Sequence, residues 1–271
     1  MTPGGPAVPG KHDGPPAMPT QSGENKSTVH LQQQKQRDYY ADRRPIRMLP
    51  VDSPYIRRHF AEAARAVALT EQDSICEWGA GMGRFSRLFA QQQCALTAIE
   101  LSPELAAICR DNLRPWPAAT VSIGDILEVA ERLPTSYSLI AGFFVLHHLP
   151  TVEPYFRAAQ KLLLPGGRFV FVEPNPLNPL YAIQITCTPG MSWSEEAGTY
   201  RMWPTAIRRA AETAGFCDFK TYRYGALPRA IYNAAAQIGV ERWPEYLIPS
   251  ALGAFQVFTA RLSQNGLNAA G

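Results

Sequence analysis

The run Ser74-Ile75-Cys76-Glu77-Trp78-Gly79-Ala80-Gly81-Met82-Gly83 decides how this chain is read. A short strand, Ser74–Trp78, leads straight into a turn with three glycines. A helical pattern follows over Arg84–Gln93, with Phe85, Leu88 and Phe89 on one side. Glycine has no Cβ, so a ligand can approach the backbone closely, and the helix behind the turn presents free N–H groups. The spacing is GxGxG, with the third glycine one residue earlier than in the dinucleotide fingerprint GxGxxG. The Lys-Ser/Thr pair of a nucleotide P-loop is absent.

Outward from this turn, strands and helices alternate. The spacing predicts strands at Ala95–Leu101, Thr120–Ile123, Ser138–Phe144 and Arg168–Val172. Between them come helices from Ser102-Pro103 through Leu113 and over Pro154–Leu164, the second ended by Pro165-Gly166-Gly167. Upstream, Ser53-Pro54 reads as an N-cap and first turn, with Ile56, Phe60, Ala63 and Val67 at helical spacing. Downstream, Pro204–Ala214 reads as a helix and Phe216–Tyr224 and Ala254–Arg261 as strands. Continuous apolar strands alternating with helices indicate an α/β protein with a mostly parallel sheet covered on both faces. Two stretches, about 174–202 and 226–250, have no place in a minimal alternating sheet. Both are rich in Pro, Trp and Tyr, and they are expected as lid or pocket elements over the ligand edge.

Three acids close successive strands. Glu77 ends the first, Glu100 ends the second 23 residues later, and Asp125 ends the third in Gly124-Asp125-Ile126. The carboxyl ends of parallel strands line one crevice. A carboxylate at Glu100 suits ribose hydroxyls, and one at Asp125 suits an adenine amino group. Glu77 suits the neighbourhood of a cationic amino-acid moiety. Asp125 is also a good helix N-cap.

Glu77-Trp78-Gly79-Ala80-Gly81-Met82-Gly83, Glu100, Asp125, Phe143-Phe-Val-Leu-His-His-Leu149 and Leu164-Pro-Gly-Gly-Arg-Phe169 together resemble the class I S-adenosylmethionine-dependent methyltransferases of small-molecule type. The likeness is strong over Ser74–Pro174 and weaker to Arg261. It implies a Rossmann-like, seven-stranded, mostly parallel sheet with an antiparallel last strand, helices on both faces, and lid insertions after strands five and six. It implies S-adenosylmethionine as cofactor, with Glu100 on the ribose, Asp125 on the adenine, and Gly79, Gly81, Gly83 and Glu77 around the methionine part. Ile126 and Phe143, beside these motifs, join the cofactor set. In similar enzymes an N-terminal tyrosine closes over the cofactor, which places Tyr40, or its neighbour Tyr39, there. Glu77 stands where Asp is commoner, and Trp78 is bulky for its position.

Methyl transfer from a sulfonium is an in-line displacement that needs alignment and a dry site. A hydroxyl acceptor also needs a proton acceptor, and histidine suits neutral pH. His147 and His148 follow strand four on its carboxyl side, with His148 the favoured base. Glu173 and Asn175, after strand five, are expected to orient the acceptor, with Trp193 and Trp203 of the lids around it. The Asp/Asn-Pro-Pro-Tyr/Phe signature of base-directed amino methyltransferases is missing. Gly142-Phe143-Phe144 carries no aspartate for a metal, so a metal-independent enzyme is expected.

The chain of 271 residues is 46% apolar, enough for a sizeable core. Its net charge of +3 gives no global basic field for nucleic acid or anionic membrane. No apolar run approaches the roughly 20 residues of a membrane span, and no signal-peptide core opens it. Cys76, Cys94, Cys109, Cys187 and Cys217 are scattered, as free thiols of a reducing cytoplasm are. Residues 1–36 differ in kind: six prolines and five glycines precede Glu24, and no Ile, Phe, Tyr or Trp precedes Tyr39. They read as a disordered tail ahead of a methyltransferase domain over 37–271. The expectation is a cytoplasmic enzyme of secondary metabolism acting on a hydroxyl of a small apolar or aromatic molecule. Carbon or nitrogen methylation, or a non-catalytic cofactor-binding partner protein, are the alternatives. Monomer and homodimer stay open.

Overall fold

The computed structural model describes Met1 and residues 49–187 and 193–263. Apart from Met1, the expected tail lies outside the described residues, as do Tyr39 and Tyr40. The first described helix, α1 (Pro54–Val67), starts where the capping signal put it. Ser53 Oγ accepts from Ile56 N at 3.4 Å, and Ala68 ends the helix in the left-handed region at φ 49°. Its apolar stripe of Ile56, Phe60, Ala63 and Val67 is buried.

The alternating unit follows: β1 (Ser74–Trp78), α2 (Ser86–Gln91), β2 (Ala95–Glu100), α3 (Pro103–Leu113), β3 (Ala119–Ile123), α4 (Ile126–Ala130) and β4 (Tyr137–Phe143). Then come α5 (Glu153–Leu162), β5 (Leu163–Pro174), α6 (Pro179–Cys187), α7 (Trp193–Glu196), α8 (Pro204–Thr213), β6 (Phe216–Tyr224), α9 (Arg229–Ala236) and β7 (Phe255–Leu262). The strands form one seven-stranded sheet of order β3-β2-β1-β4-β5-β7-β6. β1 pairs in parallel with β2 and β4, β2 with β3, and β4 with β5. The last strand, β7, runs antiparallel between β5 and β6. This is the expected Rossmann-like sheet.

Two cores lie on the two faces, and strand alternation sorts residues between them. Cys76, Trp78, Ile140, Phe169 and Phe171 pack with α5 and α8. Ile75, Leu139, Ala141, Val170 and Val172 pack with α1 and α2. Trp78 is accommodated because it belongs to the first core, with its ring 5.5 Å from Phe171 and 6.4 Å from Tyr155.

Some boundaries moved. The helix expected over Arg84–Gln93 is shortened to Ser86–Gln91. β5 begins at Leu163, before the glycines expected to precede it, because Leu163 pairs with Tyr137 ahead of an irregularity in the register. No helix among the described residues is long and apolar enough to cross a membrane. Cys76, Cys94, Cys109 and Cys217 are free.

Candidate active site

The glycine turn uses the freedom that its sequence promised. Gly79, Gly81 and Gly83 have φ of 66°, 57° and 84°, a region that penalises a Cβ. A Cβ on Gly79 would stand 2.6 Å from Val145 Cγ2, so β4's exit loop packs directly on the turn. Gly83 has another task. Its Cβ would meet Cys109 Sγ at 3.0 Å, so it allows α3 to approach rather than shaping the ligand wall. The turn opens on a cavity of about 220 Å³ lined by Gly79, Gly81, Glu100, Asp125, Ile126 and Phe143, among others. It follows the carboxyl ends of β3, β2, β1 and β4 in sheet order.

Glu100 is oriented by two backbone donors: Gly81 N gives to Oε2 at 2.7 Å and Ser102 N to Oε1 at 2.9 Å. Burial raises its pKa despite these bonds. A carboxylate has about four lone-pair sites, so two bonds leave capacity for a diol. Asp125 caps α4 by accepting from Leu127 N at 2.8 Å and also lines the cavity, so its two sequence readings coexist.

Glu77 does not line the cavity. It is buried beneath the turn, and its Oε2 has no hydrogen-bond partner. Burial pushes its pKa up to about 8, against a hydrogen bond from Ser86, and the charge of Glu100 adds to the rise.

The two histidines part company. His147 is buried, with Nδ1 2.6 Å from Glu173 Oε2 and Nε2 3.3 Å from Glu196 Oε2. Burial alone would lower its pKa, but the charge and hydrogen bond of Glu173, then those of Glu196, lift it to about 9. Both ring nitrogens of His147 thus face carboxylates, and its side chain does not line the cavity. His148 lines the cavity. Its ring lies 4.0 Å from that of His147, centroid to centroid. Burial, then the charge of His147, pushes its pKa down to about 3.

The residues expected to hold the acceptor do not line this cavity. Glu173 is fully buried and spent on structure: Oε1 accepts from Val145 N at 2.9 Å and Leu146 N at 2.8 Å, while Oε2 holds His147. Asn175 stitches the end of β5 to the approach of β7, donating to Ala251 O at 2.9 Å and Gly253 O at 2.7 Å. Trp193 and Trp203 are exposed and do not line the cavity.

The described residues of 174–202 and 226–250 do not line this cavity. The first segment is a buttress. Glu196 grips His147, and the Gly198 Cα packs so tightly on the His147 carbonyl that a Cβ would stand 1.6 Å from its oxygen. Arg201 donates to Leu149 O and Pro150 O, both at 3.0 Å. Tyr181 Oη donates to Glu196 Oε2 at 2.5 Å. Burial would raise the Glu196 pKa, but His147 brings it down to about 2.

Sequence reasoning missed Arg84, Phe85 and Phe144, all on the cavity wall. Phe85 stacks on Phe143 at 3.8 Å. Phe144 has φ of 58°, a strained value for a non-glycine residue, and its N–H donates to Val172 O at 2.8 Å. Arg84 and Phe85 follow the third glycine directly, and that adjacency was the available signal. Glu196 had none, since it reaches His147 from 49 residues away. Among the described residues no three His, Cys, Asp or Glu side chains gather as a metal site.

The fold and this cavity define a Rossmann-like α/β protein built like the S-adenosylmethionine-dependent methyltransferases. A carboxylate held at the cavity wall by two backbone N–H groups, a turn that a Cβ would block and an acid at the neighbouring strand end are the polar features of this cavity. Residues 34–219 match the methyltransferase domain family, and the chain belongs to it. S-adenosylmethionine is the cofactor that goes with this fold and family.

A ubiquinone biosynthesis O-methyltransferase of Xanthomonas euvesicatoria is 26% identical over 112 residues, 41% of this chain and 47% of that protein. A demethylmenaquinone methyltransferase of Tropheryma whipplei is 28% identical over 118 residues, 42% of this chain and 48% of that protein. The matched region thus spans about half the length of these curated relatives. A solved S-adenosylmethionine-dependent methyltransferase of Archaeoglobus fulgidus shares the fold at TM-score 0.56 and 14% identity, covering 76% of this chain and 94% of its own.

Proposed function

We propose that this protein transfers a methyl group from S-adenosylmethionine to a hydroxyl oxygen of a small apolar or aromatic molecule. The observation that carries the cofactor half is Glu100, presented at the cavity wall by the N–H groups of Gly81 and Ser102. Glu100 binds the ribose diol, Asp125 and Ile126 border the adenine, and Gly79 and Gly81 let the chain approach the amino-acid part. Glu77 lies under that part; a cationic ammonium nearby favours its ionised form. The bound cofactor supplies an electrophilic methyl on a sulfonium.

The protein's own contribution is placement and exclusion of water. Phe85, Phe143 and Phe144 give the end of the cavity nearest β4 an aromatic wall, which suits a planar acceptor. The buttress on His147 holds the loop that carries His148 and Leu149, so the wall is rigid where alignment matters. His148 stays neutral beside the His147 imidazolium. It orients the acceptor as a hydrogen-bonding group, and taking up a proton there carries the repulsion of His147. The relatives named for quinone biosynthesis support an aromatic ring bearing oxygen as the acceptor class. A cytoplasmic place in secondary metabolism is part of this reading.

The test is calorimetric titration with S-adenosylhomocysteine, followed by methyl transfer to a panel of catechols, hydroquinones and phenols. The methylated atom is located by mass spectrometry. Micromolar binding and O-methyl products are expected. Absent binding would remove the cofactor reading, and ring C-methyl products, or methylation of matched anilines with the phenols left untouched, would remove the hydroxyl.

A further inference from the structure

The cavity wall carries a cation outside the cofactor residues named above. Arg84 lines the cavity directly after the glycine turn, with its guanidinium carbon 4.8 Å from the Phe85 ring centroid. Behind the aromatic wall stands His59 of α1, only 1% exposed. Its Nδ1 lies 2.5 Å from Tyr224 Oη, while Nε2 is buried without a hydrogen-bond partner. The two nitrogens of an imidazole point nearly opposite ways, so Nε2 faces away from Tyr224. The His59 ring sits edge-on to Phe144 at 5.1 Å and to Phe85 at 6.5 Å, both of which line the cavity. His59 itself does not line the cavity, so its orphaned nitrogen acts through the rings in front of it.

We propose that Arg84 holds the methyl acceptor as an oxyanion, with His59 as a positioning residue behind it, so that the acceptor is a phenol-type hydroxyl ionised on binding. This deepens the O-methylation reading and rests on it. It removes the need for a histidine base: both ring nitrogens of His147 face carboxylates, and a proton on His148 would meet the charge of His147. The phenolic proton leaves to water as the oxyanion settles against Arg84. The oxyanion's electron pair then forms the O–CH3 bond while the S–CH3 pair returns to sulfur, giving a neutral thioether. A fixed guanidinium in a water-poor site stabilises an oxyanion far better than it would in water.

The groups facing Arg84 are consistent with this. Burial lowers its pKa to about 10, with the charge of Arg229 from α9 adding to the fall, so it stays cationic near neutrality. Tyr55 of α1 and Glu77 of β1 oppose that fall. His59 is held neutral, by burial first and then by the charge of Arg84.

A chromophoric phenol reads the proposal without turnover. 4-Nitrocatechol is titrated by absorbance while bound to the S-adenosylhomocysteine complex. In wild type its ionisation midpoint is expected to fall by about one pH unit or more, roughly the effect of one opposite charge nearby. Arg84→Gln should abolish the fall, Arg84→Lys should keep part of it, and His59→Phe should keep the fall but weaken probe binding several-fold. His59→Phe replaces one ring by another in an aromatic setting, so it also serves if Arg84→Gln fails to fold. An unshifted midpoint in wild type, or an equal fall in Arg84→Gln, overturns the proposal. Failure of the probe to bind a complex that holds S-adenosylhomocysteine normally also overturns it. Failure of wild type to bind S-adenosylhomocysteine overturns the underlying cofactor reading, and this proposal with it.

Discussion

His147 and Glu173 meet at 2.6 Å, Nδ1 to Oε2, with both side chains out of solvent. The same carboxylate accepts from Val145 N and Leu146 N through its other oxygen. One acid thus fixes both the backbone of the turn after β4 and the charge of the histidine within it.

That pair predicts an alkaline loss of stability. The folded pKa of His147, about 9, lies above its usual 6.5. Its contribution is therefore full below 6.5 and is lost as pH rises through 9. Melting temperature measured from pH 6 to 10 should decline across that window. Glu173→Gln should flatten the decline and cost about 3–5 kcal/mol near neutrality, the usual cost of breaking a buried ion pair.

The acid side has the opposite sign. The folded pKa of Glu196, about 2, is below its ordinary 4.5, and that of His148, about 3, is below 6.5. For the carboxylate, stability is present above 4.5 and lost as pH falls toward 2. For a histidine held neutral, stability is lost as pH falls from 6.5 toward 3. Denaturant unfolding between pH 7 and 3 should show a steep loss, shallower in Glu196→Gln.

Glu100→Ala should weaken S-adenosylhomocysteine binding by about 10- to 100-fold, since hydrogen bonds to a charged acceptor contribute about 1.5–3 kcal/mol each. The turn donors Gly81 N and Ser102 N lose their partner as well. Calorimetry beside a circular dichroism melt separates binding from folding, and unchanged affinity in a folded variant would contradict the ribose assignment.

Gly79→Ala meets two obstacles: a φ of 66° and a Cβ position 2.6 Å from Val145 Cγ2. The left-handed backbone costs about 1–2 kcal/mol by itself. Val145→Ala should recover the steric part alone. A double-mutant cycle on stability and S-adenosylhomocysteine affinity should therefore show coupling between positions 79 and 145.

Asn175→Ala should behave as a stability variant. Losing its bonds to Ala251 O and Gly253 O leaves the buried Gly253 carbonyl short of a donor, at about 1–3 kcal/mol. Melting temperature should fall while S-adenosylhomocysteine affinity holds. A selective loss of binding would return Asn175 to the ligand site.

The sequence by itself determined the sheet, the glycine turn and the row of acids. β1, α3 and β6 lie where periodicity and capping placed them, because those signals are local. The carboxyl ends of neighbouring parallel strands share a crevice whatever packs around them, so Glu100, Asp125 and the glycines came together in the order of the chain. The roles of the polar residues beyond that row were decided only by tertiary structure. His147 and His148 are neighbours of one type, yet one is enclosed by Glu173 and Glu196 and the other lines the cavity. Glu173 turned inward to satisfy backbone N–H groups, and Glu77 went beneath the turn. Charge state, burial and hydrogen-bond partner depend on groups tens of residues away, and no local pattern carries them.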